Sequence, residues 1–292
     1  LILHRANKTN MLIFKTQEEL KNHLQAHVIK HKTIGFVPTM GALHQGHLSL
    51  IEKSILENDY TVMSIFVNPT QFNNTSDLDN YPRTLDQDVN KLKQISNQSI
   101  AFAPTVDDIY QGNTKAQNFN FDGLENQMEG KHRPGHFNGV GTIVKRLFEI
   151  VKPTKAYFGE KDFQQLQIVK KMVEKNNLNV QVLGQPIFRE PNGLAMSSRN
   201  QRLTENQKIE AAFIYKTLTQ AKKHFMNQNV TEVVKWVQNQ FKNNKNFKLE
   251  YFEIADETTL EPSSQKETNK KYRAFIAVYM NDVRLIDTIS LN

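Results

Sequence analysis

Ile34-Gly35-Phe36-Val37-Pro38-Thr39-Met40-Gly41-Ala42-Leu43-His44-Gln45-Gly46-His47-Leu48-Ser49-Leu50-Ile51 is the stretch that decides the fold. Its apolar start, Ile34 to Val37, reads as a buried strand, and Leu48 to Ile51 opens a helical pattern. Between them lies a tight turn with His44 and His47 on either side of Gly46, a residue that lets backbone come close to a ligand. A strand, a turn and a helix N-terminus together bind phosphate, because unpaired N–H groups and the macrodipole both face an anion. One histidine alone would be packing or capping. A glycine-bracketed pair suits phosphate oxygens and, when protonated, neutralises charge growing on a leaving pyrophosphate. A zinc reading finds no evident third ligand.

Working outward, the first part of the chain alternates strands and helices. Strands are expected at Thr33–Pro38, Tyr60–Asn68, Ile100–Pro104, Lys155–Phe158 and Val180–Pro186. Helices are expected at Leu48–Asn58, Asp86–Ile95, Gly139–Ile150 and Phe163–Lys175. That alternation implies βαβ units, a Rossmann-like doubly wound parallel sheet, and ligands at the carboxyl ends of its strands. After Asn200 the pattern changes. Thr204–Asn227 and Thr231–Asn243 read as helices, and Lys248–Ala255, Arg273–Met280 and Arg284–Ile289 alternate as a half-exposed antiparallel sheet would. The expected division is a nucleotide- and acid-binding domain at 11–187 and a smaller C-terminal α+β lid domain at 188–292. Residues 1–10 precede Met11 and read as an upstream extension or expression remnant.

Four of the peptides that carry chemistry, Pro38–His47, Asn68–Phe72, Gly159–Asp162 and Arg189–Arg199, sit just after strands. Gly193-Leu194-Ala195-Met196-Ser197-Ser198-Arg199-Asn200 offers two hydroxyls and a guanidinium to phosphate oxygens. Phe158-Gly159-Glu160-Lys161-Asp162-Phe163-Gln164-Gln165 is again strand, turn, helix. There Lys161 could reach an α-phosphate, Asp162 a ribose hydroxyl and Gln165 a substrate. Asn68 and Gln71, after the Tyr60 strand, either bind a hydroxyl or carboxylate or form an ordinary Asn-Pro turn. Tyr81-Pro82-Arg83-Thr84-Leu85-Asp86-Gln87-Asp88 puts two carboxylates at a helix start, where they either hold Mg²⁺ or favour the helix dipole. Glu129-Gly130-Lys131-His132-Arg133-Pro134-Gly135-His136-Phe137 is a poor helix or strand and reads as an anion-facing loop over a site.

Composition narrows the class. The 292 residues are 38% hydrophobic and 23% charged, and contain no cysteine, which excludes disulfides, thiol nucleophiles and thiolate metal sites. No apolar stretch approaches the ~20 residues that span a bilayer, so neither a membrane nor a signal sequence is expected, and a cytoplasmic setting is. The net charge of +7 comes from scattered lysines, not a basic face, so nucleic acid is not an expected partner.

Together these peptides resemble the H-x-G-H and serine-rich signatures of nucleotidylyl transferases, and across Met11 to the C-terminus the chain resembles the pantoate–β-alanine ligase (pantothenate synthetase) family. The resemblance implies that ATP adenylates (R)-pantoate with release of pyrophosphate, and that β-alanine then displaces AMP to give pantothenate. It implies an ATP site of Met40, Gly41, Ala42, Leu43, His44, Gln45, Gly46, His47, Gly159, Glu160, Lys161, Asp162, Phe188, Met196, Ser197, Ser198 and Arg199. Within it, His47, His44 and Lys161 are the expected catalytic residues, with His47 the proton donor. Gln71 and Gln165 would hold pantoate, Gln71 would also border β-alanine, and Mg²⁺ would accompany ATP with Asp88 as its one candidate protein contact. A homodimer through the N-terminal domain is implied as well. The alternatives are another H-x-G-H nucleotidylyl transferase, an RNA-binding relative of tRNA synthetases and a non-catalytic nucleotide sensor. The first lacks Asn-Pro-Thr-Gln-Phe, the second needs a tRNA-binding domain, and the third would not fill every polar site position.

Overall fold

Period-two alternation in the strands sends neighbouring side chains into two different cores. The computed structural model describes residues 11–27, 31–73, 75–96 and 99–292. The reading of 1–10 lies outside them. Strands β1 (Leu12–Phe14), β2 (Ile34–Thr39), β3 (Tyr60–Ile65), β4 (Ile100–Phe102), β5 (Lys155–Gly159) and β6 (Gln181–Gln185) form one parallel sheet. Its order is β1-β4-β3-β2-β5-β6. Helices α1 (Gln17–His27), α2 (Gln45–Glu57), α3 (Thr75–Asp79), α4 (Leu85–Ile95), α5 (Val106–Tyr110), α6 (Met128–His132), α7 (His136–Val151) and α8 (Phe163–Lys175) accompany it. Val37, Met63 and Tyr157 face the core under α2 and α4. Phe36, Val62 and Phe158 face the opposite one, under α1, α7 and α8. Both faces are covered, as the doubly wound reading requires.

The rest of the chain adds α9 (Glu205–Asn227), α10 (Val230–Lys242) and an antiparallel sheet of β7 (Lys248–Asp256), β8 (Tyr272–Met280) and β9 (Val283–Ser290). Threonine and asparagine caps start both helices: Thr204 accepts from the Gln207 N–H and Asn229 from the Glu232 N–H. Here the sequence expectation needs correcting. The central strand β8 is buried on both faces rather than half exposed. Ile276 and Val278 point into the core beneath α9 and α10, while Phe275 and Ala277 join the core of the parallel sheet. The two sheets therefore share apolar packing.

A second correction concerns Glu129–Phe137. It is not a loop: α6 and the first turn of α7 occupy it, joined by the left-handed Gly135. Its apolar anchors Met128 and Phe137 are buried, and that burial outweighs poor local helix propensity. The short β1, α3 and α5 were not anticipated, since three- to five-residue elements carry little periodicity, and the 11-residue α1 was missed as well.

Candidate active site

The strand order reverses between β2 and β5: β3 follows β2 to one side, and β6 follows β5 to the other. Ligands of open parallel sheets bind at such a switch point, beyond the carboxyl ends. β2 runs into the two-histidine turn and β5 into the Glu160–Asp162 turn, so the register of Gly35 and Phe36 on Lys155 and Ala156 sets both peptides side by side. Between them and the Ser197–Arg199 peptide lies a cavity of about 180 Å³. Met40, His44, His47, Gln71, Lys161, Asp162, Gln165, Ser197, Ser198 and Arg199 all line it. The remaining expected contacts, among them Gln45, Gly159, Glu160, Phe188 and Met196, do not.

The histidine turn is built for neutral donors. The His44 and His47 rings stack with centroids 4.0 Å apart. The space a side chain on Gly46 would take is filled by the His44 ring, 3.0 Å from an ideal Cβ, so this glycine makes room for an imidazole rather than a ligand. Burial first, then His47 and Lys161, lower the His44 pKa to about 2. Burial and Lys161 lower that of His47 to about 4. Both rings are thus driven toward the neutral form at pH 7 in the free protein. His47 Nδ1 accepts the His44 N–H at 3.4 Å, leaving Nε2 to carry the proton. Buried His44 Nδ1 has no partner among the described residues.

Helix α4 holds this turn by both polarities. Asp88, fully buried, accepts the N–H groups of Ala42 at 2.9 Å and Leu43 at 2.7 Å, and the Thr84 hydroxyl at 3.2 Å. One turn on, Lys91 donates to the Leu43 carbonyl at 2.6 Å. The carboxylate also offsets the left-handed backbone of Ala42, φ 50°. Asp88 therefore organises the turn, with three hydrogen bonds from the chain itself on its two oxygens. Ala42 and Leu43, both fully buried, have no amide left for phosphate. Ser198 likewise serves the turn, donating to the Ala42 carbonyl at 3.0 Å.

The other end of the cavity is an apolar slot with amides at its rim. Val140, Ile143, Val144 and Leu147 of α7 face Phe66 and Phe158 across it. Gln71 sits in a single 3₁₀ turn, Pro69–Gln71, against which α7 can lie only because residue 139 is glycine. A Cβ there would stand 2.2 Å from the Thr70 carbonyl oxygen. Asn68, 1% exposed, is wholly engaged: it takes hydrogen bonds from Tyr110 and Thr70 and donates to Gln71 Oε1 at 3.1 Å. The Gln71 Nε2 end, near Met40 Sδ at 3.1 Å, is thereby presented to the cavity. Gln164 and Gln165 divide their roles. Gln164 ties the Leu124 and Gln127 carbonyls at 2.8 Å each, whereas Gln165 has no side-chain hydrogen bond among the described residues and faces the cavity.

Cations close the opposite end of the cavity. Lys161 lies 3.2 Å from Asp162, and Arg199 pairs with Asp77 at 2.8 Å beside the Tyr81 ring. Phe188 has a 40% exposed side chain, and its carbonyl accepts the Met196 N–H at 3.0 Å. Glu160 is turned away, 3.4 Å from Arg273 on β8. Sequence reading missed Asp77 and Lys91, whose only signals were their spacing from the Tyr-Pro-Arg-Thr element. It read His136 as part of an anion-facing loop, yet that residue is 5% exposed and its ring bonds the Gln71 carbonyl at 2.8 Å.

Comparison with known proteins places this geometry. The family model described as pantoate-beta-alanine ligase matches residues 12–290. A pantothenate synthetase of Flavobacterium psychrophilum is 61% identical over 96% of this chain and 100% of its own length. One from Christiangramia forsetii is 51% identical over 97% and 100%. Among solved structures, a Thermus thermophilus pantothenate synthetase superposes with a TM-score of 0.88 at 36% identity, covering 96% of this chain and 99% of that one. A Francisella tularensis pantoate-beta-alanine ligase, complexed with "Beta-gamma ATP" and β-alanine, gives 0.80 at 38% identity over 96% and 98%.

Proposed function

The chain belongs to the pantoate–β-alanine ligase family, and from that premise we propose how its residues divide the work. It is an ATP-dependent carbon–nitrogen ligase that condenses (R)-pantoate with β-alanine through a pantoyl adenylate, releasing AMP and pyrophosphate. The single observation that carries our assignment is the cavity at the β2–β5 switch point. It joins a cationic, histidine-lined end to an apolar slot rimmed by two amides.

In this reading the slot takes pantoate, whose gem-dimethyl carbon suits the Val140, Ile143, Val144 and Leu147 wall. Gln71 and Gln165 donate to its hydroxyl and carboxylate oxygens, and Gln71 borders β-alanine. Neutral readers leave the carboxylate nucleophilic. An oxygen of that carboxylate attacks the α-phosphorus as the bond to pyrophosphate breaks. His47 and His44 donate N–H groups to the phosphate oxygens, with Lys161 and Arg199 taking the growing charge. The β-alanine amine then attacks the acyl carbon, AMP leaves, and the amine gives up a proton. Positioning and charge stabilisation supply the rate, without a covalent enzyme intermediate. Met196, Ser197 and the Phe188 backbone complete the nucleotide site.

For Mg²⁺ the protein's own donors do not fit. Asp88 is engaged by the turn it organises, and among the described residues no three His, Asp or Glu side chains gather as a ligand set. The ion is assigned to the triphosphate, and no step is routed through it. We carry the division at 187/188, the cytoplasmic setting and the homodimer as parts of the proposal. Among the described residues no helix is long and apolar enough to cross a membrane. Sedimentation at micromolar concentration tests the dimer. The function is tested by incubating the protein with ATP and pantoate, with and without β-alanine, and weighing the products. Pantoyl adenylate and pyrophosphate should form without β-alanine, and pantothenate with AMP when it is added. Failure to release pyrophosphate from ATP and pantoate would overturn the assignment.

A further inference from the structure

A largely enclosed carboxylate ties α6 to the C-terminal sheet. Glu129 of α6 accepts two hydrogen bonds from Arg284 of β9, at 2.7 and 2.9 Å, and one from the Tyr251 hydroxyl of β7 at 2.7 Å. Burial alone would raise its pKa, but the hydrogen bonds and charge of Arg284, with Arg133 behind, hold it well below the usual range. Its third partner is Arg133, at 3.4 Å. Arg133 passes the contact on, reaching His136 Nε2 at 3.2 Å and the Gln71 carbonyl at 3.3 Å. Buried His136, its pKa lowered to about 4, is neutral. It can therefore accept from Arg133 on Nε2 while donating Nδ1–H to the same Gln71 carbonyl at 2.8 Å. None of Glu129, Arg133, His136, Tyr251 or Arg284 lines the substrate cavity.

We infer that Glu129, with Arg133 and His136, is a positioning relay that sets the Gln71 backbone according to whether the C-terminal sheet is seated. The inference rests on Gln71 reading pantoate. The chain of contacts runs from β7 and β9 to one carbonyl, and that carbonyl belongs to a turn already wedged against Gly139. A cation at one end and a peptide carbonyl at the other leave the carboxylate no equivalent partner if β9 withdraws. Arg133 would then be drawn to Glu129 alone, and Gln71 would lose one of its two donors. The consequence is order: pantoate is gripped only in a site already covered, which keeps the acyl adenylate from water.

The test is a set of variants at residues that do not line the cavity, Arg284→Met, Tyr251→Phe, His136→Asn and the Arg284→Met/His136→Asn double variant, with Gln71→Ala as reference. KM for pantoate and for ATP is measured in each. The relay predicts that Arg284→Met and Tyr251→Phe raise pantoate KM by about 3- to 10-fold, the span of coupled neighbours, with ATP KM changed by less than twofold. The double variant should be no worse than the worse single. If Arg284→Met does not fold, Tyr251→Phe, which removes one hydroxyl, carries the same comparison. Additive losses in the double variant, or equal rises in both KM values, would overturn the relay. So would unchanged pantoate KM in both C-terminal variants beside a raised value in Gln71→Ala. If Gln71→Ala itself leaves pantoate KM unchanged, the pantoate reading has failed and the relay falls with it.

Discussion

The histidine pair shows how far a residue type can be trusted. That His44 and His47 share one strand-to-helix turn at the cavity could be read from their spacing and their glycine. Their charge state could not, because it depends on walls built from α2, α4 and the Lys161 turn. Since burial sets the folded pKa of His47 to about 4 and of His44 to about 2, both below the unfolded value near 6.5, the unfolded chain binds more protons between those limits. Stability drawn from these two rings is therefore complete above pH 6.5 and declines as pH falls toward 4. The expected observation is that their ring proton resonances stay unshifted from pH 8 to 5.5 in the free enzyme. A midpoint near 6.5 for either would contradict the neutral-donor role. Removing the donors is a separate test: His47→Ala and His44→Ala should slow adenylation by roughly 10²-fold or more, as for other lost oxyanion donors. Near-normal pyrophosphate release from both folded variants would refute it.

At the level of elements, α4 was legible as a helix, but not its task. Asp86 and Asp88 stand two residues apart in the sequence, and only the fold turns one of them into the buried acceptor of two backbone amides. Asp88→Asn should weaken ATP binding by about tenfold or more and lower the melting temperature by several degrees, since hydrogen bonds to a charged acceptor contribute ~1.5–3 kcal/mol. The Mg²⁺ concentration for half-maximal activity should not move. A shifted Mg²⁺ requirement with normal ATP affinity would return Asp88 to the metal. Helix α7 carries the parallel lesson. Its apolar face could be seen in Gly139 to Ile150, but the need for glycine at 139 arises from a turn far away in sequence. Neighbours Gln164 and Gln165 are chemically identical, and only helix phase decides which one is free.

For the whole molecule, the alternation of strands and helices was enough to place the peptides after β2, β3 and β5 at the carboxyl edge of one parallel sheet. What the sequence did not carry was the seating of the C-terminal sheet, because β8 is apolar at successive positions and its second face could not be assigned without a partner. Phe275 and Ala277 pack into the first core, and Arg273 and Arg284 pair across to Glu160 and Glu129, so that the C-terminal sheet is seated on the first domain in this conformation. Calorimetric unfolding of the free protein should accordingly be one cooperative transition, and two resolved transitions would contradict the shared core. The central claim is that the switch-point cavity holds pantoate by two neutral amides beside a separate nucleotide end. Calorimetric titration of Gln71→Ala and Gln165→Ala with pantoate and with ATP tests it most directly. Pantoate binding should weaken by ~1–3 kcal/mol in each, the usual cost of a lost buried partner, with ATP affinity intact. Unchanged pantoate affinity in both folded variants would mean that the acid substrate binds elsewhere.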